Sequence, residues 1–231
     1  MKLYGLQKMT LLDYPGHVAC TAFLGGCDFR CPFCHNYELV DGSAEAVMDE
    51  GDFFAFLEKR RVLLDGVAVT GGEPCLHRDL PDFMRRIRTM GFAVKLDTNG
   101  AHPDLLRTIL REGLADYVAM DIKNSPAKYA MTCGLPGIDL GPVRESAALL
   151  IGGETDYELR TTVVDELHEP EDFRAIGEWI AGARRYRLQC FTDRDTVPFG
   201  NLHAPSAEKL ELCAEQARTA GLTDVSIRGV E

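Results

Sequence analysis

The 231-residue chain has no apolar run approaching the roughly 18 residues that a membrane span needs. Its opening segment, MKLYGLQKMTLLDYPG, lacks the continuous apolar core of a secretion signal. Basic charge is also short, since 25 Lys and Arg face 36 Asp and Glu for a net charge of −11. That balance argues against nucleic acid and anionic membrane as partners. There is no Ser/Gly-rich linker, low-complexity tract or sequence repeat, so residues 1–231 are expected to form a single domain. With 45% hydrophobic and 26% charged residues the composition is globular, which sets aside disorder, collagen and coiled coil. These absences predict a cytoplasmic protein.

Short apolar runs alternate with amphipathic stretches along the chain. His17 to Leu24, Gly66 to Thr70, Phe92 to Asp97, Tyr117 to Ile122, Tyr157 to Val164 and Tyr186 to Phe191 read as strands. Val225 to Ile227 suggests a last short one. Helices are expected between them. The clearest is Asp79 to Met90, where Leu80, Phe83, Met84 and Ile87 share one face, Asp79 is placed to cap and Gly91 to stop. Strand–helix alternation of this kind predicts an α/β fold, a partial (β/α)6 barrel of parallel strands. In such folds ligands bind beyond the carboxyl ends of the strands. Four strands here end in unusual polar loops: GGCDFRCPFCHN, TGGEP, DTNG and DIK.

Eight cysteines are many for a chain expected in a reducing compartment, where metal or redox chemistry is a better use than disulfides. Three are clustered, Cys27, Cys31 and Cys34, in the spacing C-x3-C-x2-C. Thiolates so placed can converge on one inorganic centre. Structural zinc wants four ligands in a closed tetrahedron, and His35, directly beside Cys34, is awkward as the fourth. No second C-x2-C occurs. Three thiolates suit a 4Fe-4S cluster that leaves one iron open to a ligand.

C-x3-C-x-aromatic-C with Phe33 at the aromatic position, followed by Gly-Gly-Glu after the next strand, resembles the radical S-adenosylmethionine (SAM) superfamily. The segments GLQKMTLLDYPG, CPFCHNYELV, TGGEP, KLDTNG, DYVAMDIK and YELRTTVV are similar to the short activating enzymes of glycyl radical proteins, the anaerobic ribonucleoside-triphosphate reductase activating group above all. The likeness runs from about Gly5 to Phe191.

The resemblance implies a 4Fe-4S cluster on Cys27, Cys31 and Cys34 that binds SAM and cleaves it reductively, yielding methionine and a 5′-deoxyadenosyl radical that abstracts hydrogen from the target. It implies that the backbone at Gly71, Gly72 and Glu73 meets the SAM amino group, glycines allowing close approach. Asp97 and Asp121, with Thr98 alongside, are implied to serve SAM and, as in some members, a monovalent cation. Two acids at one strand-end face call for a cation between or beside them. Lys123 is implied to meet the SAM carboxylate, and Arg160 to lie near the nucleoside. The implied partner is a glycyl radical enzyme, anaerobic ribonucleotide reductase first, and the implied electron donor a flavodoxin or ferredoxin.

Some activators have a histidine in the loop after the sixth strand that reaches the ribose. Here Leu188-Gln189-Cys190-Phe191-Thr192 has none, leaving Gln189 or Thr192 as substitutes. His35-Asn36 fit either the site or loop packing. Cys20 and Cys213 read as core, the Arg184, Arg185 and Arg187 cluster as solvated surface, and Cys75, Cys133 and Cys190 carry no assignment. Two other functions compete: a radical SAM enzyme acting on a small molecule of the deazapurine-forming kind, and an activator of another glycyl radical enzyme such as pyruvate formate-lyase. From a different class, an iron–sulfur electron carrier or structural zinc protein would not need the glycines and acids of the other three loops.

Overall fold

The computed structural model describes residues 1–229. In chain order the elements are β1 (Lys2–Thr10), β2 (Ala19–Leu24), α1 (Tyr37–Asp41), β3 (Met48–Asp49), α2 (Glu50–Arg60), β4 (Gly66–Gly71), α3 (Leu80–Thr89), β5 (Ala93–Thr98), α4 (Pro103–Arg111), β6 (Tyr117–Asp121), α5 (Tyr129–Cys133), α6 (Gly141–Ile151), β7 (Asp156–Val163), α7 (Pro170–Trp179), β8 (Tyr186–Cys190), α8 (Ala207–Thr219) and β9 (Val225–Arg228). All nine strands belong to one sheet, ordered β3-β1-β2-β4-β5-β6-β7-β8-β9. From β2 through β4 to β9 every pairing is parallel. The sheet is open, with β3 and β9 as its two edges.

The expected α/β architecture is present: the six main strands form, and the short strand read at Val225 to Ile227 is β9, the seventh parallel strand. Two elements were not legible in the sequence. β1 runs antiparallel to β2, with irregular register between Leu3 and Gly5 and between Gln7 and Thr10. Its burial pattern lacks a clean period of two, because only Leu3 and Thr10 are fully covered. β3 is only two residues long and pairs with β1. The helix expected over Asp79 to Met90 is α3, Leu80–Thr89, although the Asp79 side chain makes no capping bond. Pro103 opens α4, and the Ser206 hydroxyl accepts from Lys209 N at 3.1 Å to cap α8. The five-residue helices α1 and α5 are additional.

Strand alternation separates two chemistries. Val67, Val69, Val94, Leu96, Val118, Met120, Leu159 and Leu188 are fully buried and share one core with Phe53, Leu57, Phe83, Ile87, Ile109 and Phe173 of the helices. The alternate positions carry Lys95 and Asp97 on β5, Asp121 on β6, Glu158 and Arg160 on β7, Arg187 on β8 and Arg228 on β9. This opposite face of the sheet is therefore charged. Arg187 corrects the expectation of a solvated arginine cluster. Its side chain is 11% exposed and forms a fork on Asp224 at 2.7 and 2.9 Å. Arg184 is also engaged, with its guanidinium 4.9 Å over the Tyr157 ring. Cys20 and Cys213 are fully buried, as expected of small apolar side chains.

Candidate active site

The loop after β2 is docked on its neighbours by its own backbone. Gly26 N donates to Leu39 O at 2.8 Å, and Arg30 N to Cys133 O at 2.9 Å. His35 Nε2 bonds the Thr192 carbonyl at 2.7 Å, and its ring stacks on Phe191 with centroids 5.5 Å apart. His35 thus packs the loop against the end of β8. Phe33 is buried edge-on to the same Phe191 at 6.5 Å. Cys27, Cys31 and Cys34 line one cavity. Burial pushes the Cys27 and Cys31 thiols up to about 12 and raises that of Cys34. A metal centre bound by these thiols would displace their protons. Among the described residues no three His, Cys, Asp or Glu side chains form a ligand set for a single metal ion. Three thiols on one loop are the ligand number of a 4Fe-4S cluster with one iron left open.

The Gly-Gly pair after β4 has a reason of its own. Gly71 has φ 129°, and a Cβ there would lie 2.1 Å from Leu24 O. A Cβ on Gly72 would lie 1.9 Å from Gly26 O. The two loops touch backbone to backbone, through Gly72 N to Leu24 O at 2.9 Å and Glu73 N to Gly26 O at 2.7 Å. These amides are spent, and Gly71 O accepts from Asn36 Nδ2 at 3.5 Å. Glu73 is fully buried and serves the scaffold. Its Oε1 accepts from Cys75 N at 2.9 Å and Thr98 Oγ1 at 2.8 Å, and its Oε2 from Asn99 N at 2.6 Å. Burial pushes its carboxyl up to about 7 against those three donors. Thr98 is occupied likewise, its hydroxyl also accepting from Gly100 N at 3.1 Å.

Asp97 and Asp121 face each other across Arg160. Arg160 Nε donates to Asp121 Oδ1 at 2.9 Å, and its Nη1 lies 3.5 Å from Asp97 Oδ2. Lys123 Nζ donates to Asp121 Oδ2 at 3.0 Å, and Lys95 Nζ to Asp97 Oδ1 at 2.6 Å. The cation expected between the acids is, in the protein alone, the Arg160 guanidinium. Burial works against both carboxylates, but Arg160 with Lys123 holds Asp121 down at about 2, and Arg160 with Lys95 lowers Asp97. Asp121 in turn keeps Lys123 protonated against its burial. The backbone of Lys123 is pinned from behind by the fully buried His168, whose Nε2 bonds Lys123 O at 2.9 Å.

One cavity of about 270 Å³ gathers the four loops at the carboxyl ends of the strands. Cys27, Cys31, Phe33, Cys34, Gly71, Gly72, Glu73, Asp97, Thr98, Asp121, Lys123 and Arg160 all line it. Gln189 is on the wall as well; Thr192 is not. Sequence reasoning missed Lys95 and the tether of the cysteine loop. Asn99 Nδ2 donates to Asp28 Oδ1 at 2.8 Å, and His102 Nε2 lies 3.1 Å from Asp28 Oδ2. Lys95 had a signal, since it precedes Asp97 by two residues on a strand and so shares its face. Cys75 and Cys133 are buried outside the cavity wall, and Cys190 is half-buried beside Phe191 O.

The chain is 29% identical over 217 residues to a Methanocaldococcus jannaschii protein provisionally named a glycyl-radical enzyme activating enzyme, covering 89% of this chain and 87% of that one. It is 27% identical over 188 residues to the 7-carboxy-7-deazaguanine synthase of Halobacterium salinarum, covering 78% and 68%. Among solved structures, a domain of a pyruvate-formate lyase-activating enzyme from Bacteroides vulgatus shares the fold with a TM-score of 0.57 at 20% identity, over 71% of this chain and 99% of that one. The family model of the radical SAM superfamily matches residues 21–166, which hold the cysteine loop and the strand-end residues from Gly71 to Arg160. The chain therefore belongs to the radical SAM superfamily, whose enzymes work with a 4Fe-4S cluster and SAM, and is a homologue of glycyl-radical enzyme activating enzymes.

Proposed function

We propose that the chain is a single-domain activating enzyme that installs a glycyl radical on a partner protein, anaerobic ribonucleoside-triphosphate reductase. The observation that carries this is the convergence of three thiols, a glycine-paired strand end and the Lys95–Asp97–Arg160–Asp121–Lys123 network around one cavity. Cys27, Cys31 and Cys34 would hold the cluster, whose chemistry would be to supply one electron that splits SAM into methionine and a 5′-deoxyadenosyl radical.

The chain's own residues do the rest. Cys27, Cys31 and Cys34 give up their protons to hold the iron. The carbonyls at Gly71 and Gly72 accept from the SAM amino group, and Lys123 meets its carboxylate as a point charge. Asp121 keeps Lys123 charged and aimed, and Arg160 holds the two acids in register near the nucleoside. Phe33, backed edge-on by Phe191, forms an apolar part of the wall. Gln189, already on the wall, takes the ribose in place of the histidine that other activators use. A flavodoxin or ferredoxin delivers the electron.

A protein target is supported by the likeness to a glycyl-radical enzyme activating protein, 29% identical over 89% of this chain and 87% of that one. The likeness to a 7-carboxy-7-deazaguanine synthase keeps the small-molecule reading as the rival. The test mixes the anaerobically reconstituted chain, SAM and reductant with the cognate reductase carrying glycine deuterated at the α-carbon. A glycyl radical signal in electron paramagnetic resonance, with deuterium in 5′-deoxyadenosine, is expected. Deuterium arriving instead from a small metabolite makes the rival correct.

A further inference from the structure

Some relatives, by the resemblance, place a monovalent metal cation beside the two strand-end acids. The residues present here do not fit one. Asp97 and Asp121 together offer four carboxylate oxygens, and each already faces a side-chain cation. Oδ1 of Asp97 takes Lys95 Nζ at 2.6 Å, and Oδ2 faces Arg160 Nη1 at 3.5 Å. Oδ1 of Asp121 takes Arg160 Nε at 2.9 Å, and Oδ2 takes Lys123 Nζ at 3.0 Å. The neighbouring hydroxyl of Thr98 is spent on Glu73 and Gly100 N. Two negative charges therefore meet three positive ones before any ligand arrives.

Lys95 is the unusual member. Lys123 and Arg160 line the cavity and can touch a ligand, whereas Lys95 is absent from its wall. Its side chain is 3% exposed, and among the described residues its ammonium pairs with Asp97 alone. A lysine is seldom buried so completely without a specific charge to balance. It approaches Asp97 from the charged inner face of the sheet, beneath the site. We infer that the Lys95 ammonium is a built-in substitute for the monovalent metal cation, a positioning residue that holds Asp97, and through it Arg160, without an added ion. A metal cation at the same acids would be a fourth positive group against two carboxylates, and would have to displace an ammonium covalently tied to the strand.

The inference rests on the SAM-binding reading for one of its two tests and is independent of it in the other. In the first, SAM affinity of the anaerobically reconstituted chain is measured by calorimetry in NaCl, KCl and tetramethylammonium chloride at equal ionic strength. Wild-type affinity should agree within about twofold in all three. Lys95→Met should bind SAM at least about fivefold more weakly in tetramethylammonium, with sodium or potassium restoring most of the loss, which a merely structural defect would not show. In the second, melting of the cluster-free chain is followed in the same salts without SAM. The wild type should be indifferent to the cation, and Lys95→Met should melt higher in sodium or potassium than in tetramethylammonium. If Lys95→Met does not fold, Lys95→Gln replaces it, and the wild-type arms need no variant. Wild-type SAM affinity that falls fivefold or more in tetramethylammonium overturns the inference, as does a folded Lys95 variant indifferent to the cation in both tests. A chain that binds SAM in none of the salts sinks the functional reading instead, and the melting test still decides the role of Lys95.

Discussion

Gly72→Ala separates two explanations of the same dipeptide. If the glycines exist only so that a ligand can approach the main chain, the substitution should leave the empty protein untouched and weaken ligand binding alone. The structure says otherwise. A methyl group at position 72 would stand 1.9 Å from the carbonyl oxygen of Gly26 and 2.6 Å from its carbon, where ordinary contact begins at 3.4 Å. Both atoms belong to backbone, so no side chain can rotate away. The loops must part, and the bond from Glu73 N to Gly26 O at 2.7 Å goes with them. Crowding of this kind costs about 1–3 kcal/mol. A buried amide left without a partner adds about 1–3 kcal/mol. Together the loss is about 2–6 kcal/mol, a large part of the ~5–15 kcal/mol of a typical domain. The assay is urea denaturation of the cluster-free chain under reducing, anaerobic conditions, comparing midpoints at constant slope. A loss below about 1 kcal/mol would refute the claim that these glycines are required by loop-to-loop contact.

Arg160→Met should lower stability at pH 7 by about 3 kcal/mol, because it leaves two acids facing each other with one cation each. In the wild type, Asp121 is held at about 2 against an ordinary 3.8, so its contribution is present above pH 3.8 and lost as pH falls through 2. That contribution is at most about 2 kcal/mol, since 28% of the side chain is exposed. The variant should lose the Arg160 share of this dependence, Lys123 keeping the rest, and unfold at a higher pH on acidification. Equal urea midpoints for the two proteins at pH 7 would sink the argument. Changing Cys27, Cys31 or Cys34 to Ala should each abolish the roughly four irons per chain that reconstitution adds. Cys20→Ala and Cys213→Ala, altering buried core thiols away from the cavity, should leave iron content unchanged. A wild-type chain that takes up one zinc tightly and no iron would overturn the cluster assignment.

Much of the site was legible because its residues sit where strands end. An apolar run such as GVAV stops at TGGEP, and the change from apolar to polar marks both the strand end and the ligand-facing loop. Parallel architecture then brings TGGEP, DTNG and DIK to one edge with no further information, since the carboxyl ends of parallel strands share an edge. What stayed hidden depends on pairings between distant segments. The role of Glu73 as a scaffold acid appears only once Thr98 and Asn99 are next to it, some 25 residues away in sequence. The engagement of Arg187 requires Asp224, 37 residues on. β1 was obscured by its bulges, which spoil the alternation that marks a half-buried strand.

The charged inner face explains why a chain with an apolar core on one side of its sheet tolerates so many buried ions on the other. Below the cavity, Glu158 is 1% exposed and holds Arg228 at 2.7 and 2.9 Å, with Tyr117 Oη donating to it at 3.0 Å. Above it stand Lys95, Asp97, Arg160, Asp121 and Lys123. Well-packed apolar residues in such positions often give equal or greater stability, so stability alone does not account for the ions. Two features do. The upper group carries one more positive than negative charge, which suits the carboxylate of a ligand entering the cavity. Its members are also fixed by one another before the ligand arrives, so little reorganisation is left to be done when it binds. The lower group is neutralised within the fold, through Asp224 and Glu158, and has no opening to the cavity. Excess charge is thus confined to the one level of the sheet that the thiol loop and the glycine pair enclose.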